Sequence, residues 1–223
     1  FVNKFDASLL FLSNGSSALE KGLYSKLLKI QKVKTILLPR AGMLEKELVR
    51  NNLFQHLINK LISNNDYVFC QGKNMKKLFK EKLYYTKNIA IINNWSTSQK
   101  FIEVGEKKTN LIKNLYLQKR KLNLIFVGWL EKSKGIYELI NVAKDLLNEG
   151  YEFDLFLIGD GKEYKNIQDI ILKNNKKVNH SIKLIGWVKN TELIKFYEES
   201  DIFVLPSYIE GLPNALVEAM LCA

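Results

Sequence analysis

Short apolar runs alternate with stretches of helical periodicity along the second half of this chain, and that alternation restricts the fold more than any other feature. Each apolar run has the length of a buried strand and is followed by a segment with helical spacing. The predicted strands are 122–127, 153–158, 182–185 and 202–205, and the predicted helices are 135–148, a segment ending near 172, 191–199 and one that begins near Pro213. Strands joined through helices pair in parallel. We therefore predict an α/β fold with a parallel, doubly wound sheet.

The first half shows the same alternation in a looser form. Strands are predicted at 35–38, 67–70 and 89–92, and helices at 44–61 and 75–82. Between Ser96 and about Asn110 the apolar rhythm is lost, which indicates a connection between two domains. We expect residues 1–96 to belong to a first α/β domain and residues 97–223 to a second one.

Charge and composition restrict the function only broadly. The 34 Lys and Arg against 23 Asp and Glu give a formal net charge of +11, which favours phosphates, anionic lipid surfaces or nucleic acid as partners. Much of the surplus is diffuse lysine that fits a solvated surface, and the remainder points to an anionic membrane face. Clustered aromatic and basic motifs are absent, so nucleic acid is not expected as a partner.

Targeting segments and metal-binding patterns give little signal. No apolar run reaches the roughly 18 to 20 residues that cross a bilayer, and the start of the chain does not resemble a signal peptide, so a cytoplasmic protein is expected. Cys70 and Cys222 are far apart and have no metal-ligand spacing, so reduced thiols are expected. Neither His56 nor His180 is assigned a catalytic role.

Small residues follow the predicted strands of the second half. Gly128, Gly159, Gly186 and Pro206 stand where strands end, and helix N-termini with unpaired N–H groups come after them. Glycine either terminates the strand or lets a ligand approach the backbone closely. Because ligands bind at the carboxyl ends of parallel strands, this sheet edge is the candidate site.

Two glutamates bracket the start of the last predicted helix. Glu210 lies in the loop before the helix, Glu218 lies along it, and Pro213 suits the first helical turn. The backbone amides after Pro213 are then available to an anion. A diphosphate could rest on these amides while the two carboxylates accept hydrogen bonds from sugar hydroxyls.

The same segment resembles a known family. Residues 201–220, DIFVLPSYIEGLPNALVEAM, are similar to the E-x7-E signature of the retaining glycosyltransferases of family 4. Residues 126–135, FVGWLEKSKG, resemble the FVGRLxxxKG element of that family, and Gly159-Asp-Gly161 and Gly186-Trp-Val188 fall where the family has them. The first half resembles the family more loosely, through Asp66-Tyr-Val-Phe-Cys-Gln71 and the turn Asn93-Asn94-Trp95.

The resemblance implies a GT-B fold, with two Rossmann-like domains and the donor held mainly by the second. It implies that the chain is an internal piece, with the first domain incomplete and the second truncated. Glu210 would face the transferred sugar, Glu218 the donor ribose, and Lys134 the diphosphate leaving group. The residues that would bind the donor, through the backbone for the most part, are Gly128, Trp129, Gly159, Asp160, Trp187, Val188, Gly211, Leu212, Pro213, Asn214, Ala215 and Leu216.

The resemblance further implies a UDP- or GDP-sugar donor, retention of anomeric configuration and no metal or other cofactor. The implied acceptor is a polysaccharide or lipid-linked glycan, which together with the basic charge predicts a peripheral position on the inner face of the membrane.

Two positions depart from the family pattern. Trp129 stands where the family has an arginine, and Trp cannot supply the same bidentate phosphate contact.

The second departure is in the first half, where Arg40 stands in the loop that carries a donor-binding histidine in the family. Arg40 either approaches the donor or acceptor or is a surface residue. The alternatives to a transferase are a degenerate, non-catalytic partner subunit, which Trp129 suggests, and a nucleic-acid binder, which rests on charge alone.

Overall fold

The computed structural model describes residues 5–13, 15–40, 44, 52–93, 99–115 and 121–223. The chain divides into two compact units. The first comprises Phe1–Asn94 with Glu210–Leu212, and the second comprises Trp95–Ile209 with Pro213–Ala223. Of the expected turn at 93–95, only residue 93 is described. The predicted helical residues 45–51 lie wholly outside the described residues.

The first unit is built around a parallel sheet of four described strands in the order β1-β2-β3-β4. Its strands are β1 (Ala7–Leu12), β2 (Lys34–Pro39), β3 (Tyr67–Cys70) and β4 (Asn88–Ile91), and its helices are α1 (Gly15–Ile30), α2 (Asn52–Ile62) and α3 (Lys73–Glu81). Each described strand pairs with the next one in the chain, so the order of the described strands contains no switch point in this sheet.

The core of the first unit lies between the sheet and the helices. It contains the buried side chains of Leu12, Leu37, Ile58, Val68 and Phe79. The Asp66 carboxylate accepts hydrogen bonds from the Thr35 backbone N–H at 2.8 Å and from the Thr35 hydroxyl at 3.2 Å. Because Thr35 is fully buried, these bonds satisfy its polar groups and tie the start of β2 to the start of β3.

The second unit contains the other parallel sheet, in the order β7-β6-β5-β8. The strands are β5 (Leu122–Val127), β6 (Phe153–Ile158), β7 (Ile182–Gly186) and β8 (Ile202–Phe203). The helices are α4 (Gln99–Leu115), α5 (Ile136–Asn148), α6 (Tyr164–Leu172), α7 (Lys176–Ser181), α8 (Asn190–Glu199) and α9 (Asn214–Leu221), and a 3-10 turn spans Lys132–Lys134.

The order of these strands contains a topological switch point. From β5 the sheet grows in one direction through β6 to β7, and β8 then lies on the opposite side of β5. Helices that follow β5 and β8 therefore leave toward opposite faces, and a crevice opens between the carboxyl ends of these two strands. The fold thus directs a ligand to the loops after β5 and β8.

Two apolar clusters lie on the faces of this sheet. One contains Phe126, Leu130, Ile136, Leu155 and Leu157. The other lies beneath α4, α8 and α9 and contains Phe101, Val104, Ile125, Leu193, Tyr197 and Cys222.

The structure corrects several local predictions. Residues 99–115, which overlap the expected connection at 96–110, form helix α4, because Phe101 and Val104 are spaced by about one turn and are both buried. Strand β8 ends at Phe203 rather than Leu205, and Pro213 is the N-cap of α9 rather than a residue of its first turn. Strand β1 and helices α1 and α7 were not predicted, although Leu19, Leu23 and Leu27 of α1 recur at helical spacing. His180, which was expected in a polar turn, lies in α7.

Candidate functional site

The loops after β5, β6 and β7 are joined by backbone hydrogen bonds. Gly128 N–H donates to Ile158 O at 3.0 Å, and Leu130 N–H donates to Asp160 O at 2.9 Å. Gly159 N–H in turn donates to Gly186 O at 2.8 Å. The three loops therefore form one connected surface at the carboxyl edge of the sheet, and Gly128, Gly159 and Asp160 are brought together there.

Two glycines of this surface are required by the neighbouring loop. A Cβ atom on Gly159 would lie 1.9 Å from Gly128 O, and Gly159 has a φ of +136°. A Cβ atom on Gly161 would lie 2.5 Å from Leu130 O. The space beside these two residues is thus filled by protein backbone. At Gly128, by contrast, a Cβ atom would meet only the Phe126 ring at 3.5 Å, so this glycine is not required by its neighbours.

Asp160 has a structural contact in this surface. Its Oδ1 accepts a hydrogen bond from the Gly161 N–H at 2.7 Å, which shapes the turn after β6. Trp129 and Trp187, on the loops after β5 and β7, are 65% and 69% exposed. The single strand β6 separates their strands, so two large aromatic surfaces stand on the same sheet edge. Val188, next to Trp187, packs against the cluster beneath α8.

Lys134 is placed by a tight backbone contact. It ends the 3-10 turn, and Gly135 follows in the left-handed conformation with a φ of +67°. A Cβ atom on Gly135 would lie 2.2 Å from the Pro206 carbonyl oxygen. The backbone beside Lys134 therefore lies directly against the loop that follows β8, at the switch point of the sheet.

The loop after β8 is held to the start of α5 at a second point. Tyr208 N–H donates to Ser133 O at 3.0 Å, and the Tyr208 hydroxyl donates to Glu138 Oε1 at 2.6 Å. This hydrogen bond lowers the pKa of Glu138. The sequence does not predict this pair, because 70 residues separate Tyr208 from Glu138 and Glu138 lies outside the motif segments.

Helix α9 begins at this loop. Pro213 is its N-cap, with a φ of −69°, and forms no side-chain cap hydrogen bond. The first helical turn contains no acidic residue. The amides of Asn214, Ala215 and Leu216 are in this turn, where backbone N–H groups have no partner within the helix. The end of a helix with these properties attracts anions.

Glu218 lies one turn along α9 and is half-buried. Its Oε2 is 3.3 Å from the hydroxyl of Tyr197 on α8. Burial raises the pKa of the Glu218 carboxyl, and the hydrogen bond with Tyr197 lowers it in part. Glu218 is thus a carboxylate held between helices rather than a freely solvated surface group.

The remaining predicted site residues belong to the first compact unit. Glu210, Gly211 and Leu212 are grouped with the first unit; Glu210 and Leu212 are half-buried and Gly211 is exposed. Arg40, also in the first unit, is exposed and its guanidinium lies over the Phe11 ring at 5.1 Å.

The two cysteines of the chain lie in its apolar interior. Cys70 and Cys222 are buried free thiols, and burial raises their pKa values to about 12 and about 11. In the part of the chain that the structure describes, no group of three or more His, Cys, Asp and Glu side chains could hold a metal ion. Among the same residues, none of the helices combines the length and the apolar character needed to cross a membrane.

Comparison with known proteins identifies relatives. The family described as "Glycosyl transferases group 1" matches residues 107–223. An uncharacterized glycosyltransferase of Methanocaldococcus jannaschii is 32% identical over 162 residues, which cover 72% of this chain and 39% of that protein. A capsular polysaccharide biosynthesis glycosyltransferase of Staphylococcus aureus is 30% identical over 149 residues, which cover 64% of this chain and 41% of that protein. The chain spans about two fifths of the length of these two curated relatives.

Solved structures share the fold at low identity. The crystal structure of HepE from Anabaena in complex with UDP has a TM-score of 0.66 and 13% identity, covering 96% of this chain and 57% of that chain. The same protein in complex with UDP-glucose has a TM-score of 0.65. This likeness confirms the predicted α/β fold class with two Rossmann-like units.

Proposed function

This chain belongs to the glycosyl transferases group 1 family, and we propose that it transfers a hexose from a nucleoside diphosphate sugar to an acceptor with retention of anomeric configuration. The observation that carries the proposal is the switch point between β5 and β8. Lys134 and the amide-bearing start of α9 both follow strands that flank this point, and a switch point is where open α/β sheets bind their ligands.

The diphosphate is the group for which this site is best suited. Lys134 supplies a positive charge, and the first turn of α9 supplies backbone N–H groups and the positive end of the helix dipole. When the sugar leaves its nucleotide, negative charge develops on the diphosphate. Fixed donors aimed at that charge stabilise the transition state more than the ground state.

The carboxylates and aromatic residues serve the rest of the donor. Following the resemblance, Glu210 faces the transferred sugar and Glu218 accepts hydrogen bonds from the ribose hydroxyls. The backbone of Trp187 and Val188 meets the nucleobase, and Gly128, Gly159, Asp160 and the 211–216 backbone complete the cradle. The half-buried position of Glu218 supports its role, because a carboxylate removed from water binds hydroxyl groups more strongly.

The relatives support a donor class and an acceptor class for this proposal. HepE has been crystallised with UDP and UDP-glucose, which supports a UDP-sugar, with a GDP-sugar as the other candidate. The Staphylococcus aureus relative acts in capsular polysaccharide biosynthesis, which supports a polysaccharide or lipid-linked glycan as acceptor. We place the reaction at the cytoplasmic face of the membrane, without a metal ion or other cofactor.

The test is donor binding and turnover by the full-length protein with a panel of UDP- and GDP-sugars. Lys134→Ala and Glu210→Ala should each lower the turnover number by about 100-fold or more, since removal of one fixed donor to a developing charge has effects of that size. Lys173→Ala is the matched control, because Lys173 is exposed at the C-terminal end of α6, on the opposite edge of the sheet. Absence of donor binding, or equal activity of all variants, would refute the proposal.

A non-catalytic partner subunit is the second candidate, and Trp129 favours it. An exposed Trp at this position cannot bind phosphate as an arginine does. This alternative requires that the protein show no turnover with its natural acceptor while a complex with another transferase survives Glu210→Ala. If the site is merely weakened, Trp129→Arg should instead increase donor affinity.

A further inference from the structure

We infer that Tyr197 of α8 is a positioning residue that holds the Glu218 carboxylate of α9 in the orientation that binds the donor. The inference rests on the proposed function, in which Glu218 accepts hydrogen bonds from ribose. The resemblance to the transferases gives Tyr197 no role, and no motif in the sequence includes it.

The Tyr197 ring is fixed by packing. Its side chain is 2% exposed. The Phe101 ring of α4 meets it edge-on, with ring centroids 5.8 Å apart and an interplanar angle of 76°, and the Phe203 ring of β8 lies 6.3 Å away. A side chain held by two rings from two different elements has little freedom. The position of its hydroxyl group is therefore determined by the core.

The hydroxyl group lies between two acceptors on α9. It is 3.0 Å from Ala215 O and 3.3 Å from Glu218 Oε2. A tyrosine hydroxyl has one proton, so it donates to one of the two at a time. Hydrogen bonds to an ionised acceptor are about twice as strong as those between neutral groups. The Tyr197 hydroxyl group thus donates its hydrogen bond to Glu218 when this carboxyl is ionised, and to Ala215 O when it is protonated.

The other titratable groups around this pair come from three elements. Lys108 of α4 donates through Nζ to the backbone oxygens of Tyr197 and Ser200, at the C-terminal end of α8. Cys222 of α9 has its pKa raised to about 11 by burial and stays neutral near pH 7. Glu198 of α8 acts on Cys222 and raises its pKa further.

The Tyr197 hydroxyl opposes the effect of burial on Glu218. Burial raises the pKa of the carboxyl, and the hydrogen bond lowers it. Without the hydroxyl group the pKa of Glu218 would rise further, so a smaller fraction would be ionised at a given pH near that pKa. Donor binding should weaken at low pH as Glu218 becomes protonated, and we call this part of the pH profile the acidic limb. Without the Tyr197 hydroxyl group the acidic limb would move to higher pH, and the carboxylate would lose its fixed orientation.

The experiment measures the affinity of the full-length protein for UDP and for GDP by calorimetry between pH 5 and pH 8, with steady-state kinetics alongside. Tyr197→Phe keeps the ring and removes only the hydroxyl group. We expect about a three- to tenfold weaker Kd at neutral pH, the size of one ordinary hydrogen bond, because Tyr197 orients Glu218 without contacting the donor. We also expect the acidic limb to shift to higher pH, a raised KM for the donor and a nearly unchanged kcat.

Two controls separate positioning from a general loss of stability. Tyr137→Phe removes another tyrosine–glutamate hydrogen bond of the same unit, between Tyr137 and Glu163, and should leave Kd and the limb unchanged. Glu218→Gln should abolish the limb, and Tyr197→Phe added to it should have no further effect.

The outcomes distinguish this inference from the proposed function. If the unmodified protein binds no nucleoside diphosphate, both are wrong. If it binds and Tyr197→Phe changes neither Kd nor the limb, the positioning role alone is wrong. Should Tyr197→Phe fail to fold, Glu218→Asp withdraws the carboxylate from an intact Tyr197 and must show the same shift; an unshifted limb there overturns the inference.

Discussion

Gly135 shows how a single residue places a site. Its left-handed backbone and its approach to Pro206 O both exclude a side chain, and Lys134 immediately precedes it. Gly150 shares the positive φ, at +102°, but has no atom within 4 Å of where a Cβ would lie. A comparison of Gly135 with Gly150 therefore distinguishes the effect of a strained backbone from the effect of a close contact between loops.

At this scale we predict that Gly150→Ala destabilises the protein by about 1–3 kcal/mol, the cost of a strained backbone position. Gly135→Ala should lose more, because the Pro206 carbonyl must also move. Urea denaturation measures the difference in the free energy of unfolding. Nucleotide affinity should fall in Gly135→Ala only, and equal effects of the two substitutions on stability and binding would contradict the predicted contact.

Helix α4 is the element that holds α8 and α9 in place. A Cβ atom on Gly105 would lie 2.2 Å from Leu221 O, so α4 and the end of α9 are in backbone contact. Lys108, one turn further, donates to the carbonyl oxygens at the end of α8. These carbonyl groups have no partner within their helix, and a cation there also suits the helix dipole.

We predict that Lys108→Met lowers the free energy of unfolding of the second unit by about 1.5–3 kcal/mol, the range for hydrogen bonds to charged groups. Lys107→Met is the matched control, since Lys107 is the exposed neighbour on the same helix and should have an effect within about 0.5 kcal/mol. Chemical denaturation followed by tryptophan fluorescence is the measurement. Indistinguishable midpoints for the two variants would show that α4 does not cap α8.

The charge of the whole molecule is unevenly distributed along the helices. The formal net charge is +11, and α3 carries four lysines, Lys73, Lys76, Lys77 and Lys80, within nine residues. Its apolar residues Leu78 and Phe79 are buried against the first unit. Several lysines on one short helix attract an anionic lipid surface more strongly than the same number spread over the molecule.

We predict that the full-length protein sediments with vesicles containing phosphatidylserine but not with pure phosphatidylcholine, and that high salt releases it. Replacing the four α3 lysines by Gln should weaken binding more than replacing Lys144, Lys165, Lys173 and Lys177, although both variants lose four charges. Equal loss would indicate diffuse attraction. Stronger binding to duplex or single-stranded nucleic acid than to vesicles would favour the nucleic-acid alternative.

Local pattern was sufficient for most elements of the second unit. Strands β5 and β6 have the predicted bounds, because buried parallel strands are continuous apolar runs that stand out from helical spacing. The motif residues around Lys134, Glu210 and Glu218 were also visible, since each lies in a short contiguous segment. Helix α4 was missed because its buried positions, Phe101 and Val104, are few among polar residues.

Contacts between distant segments could be found only in three dimensions. The approach of Gly135 to Pro206, the Tyr208–Glu138 hydrogen bond and the Tyr197–Glu218 pair each join residues that are remote in the chain or belong to different helices. Periodicity reports which side of an element is buried, but not which atom of another element meets it. Sheet order and helix packing decide that meeting, and with it the surroundings and the pKa of Glu218.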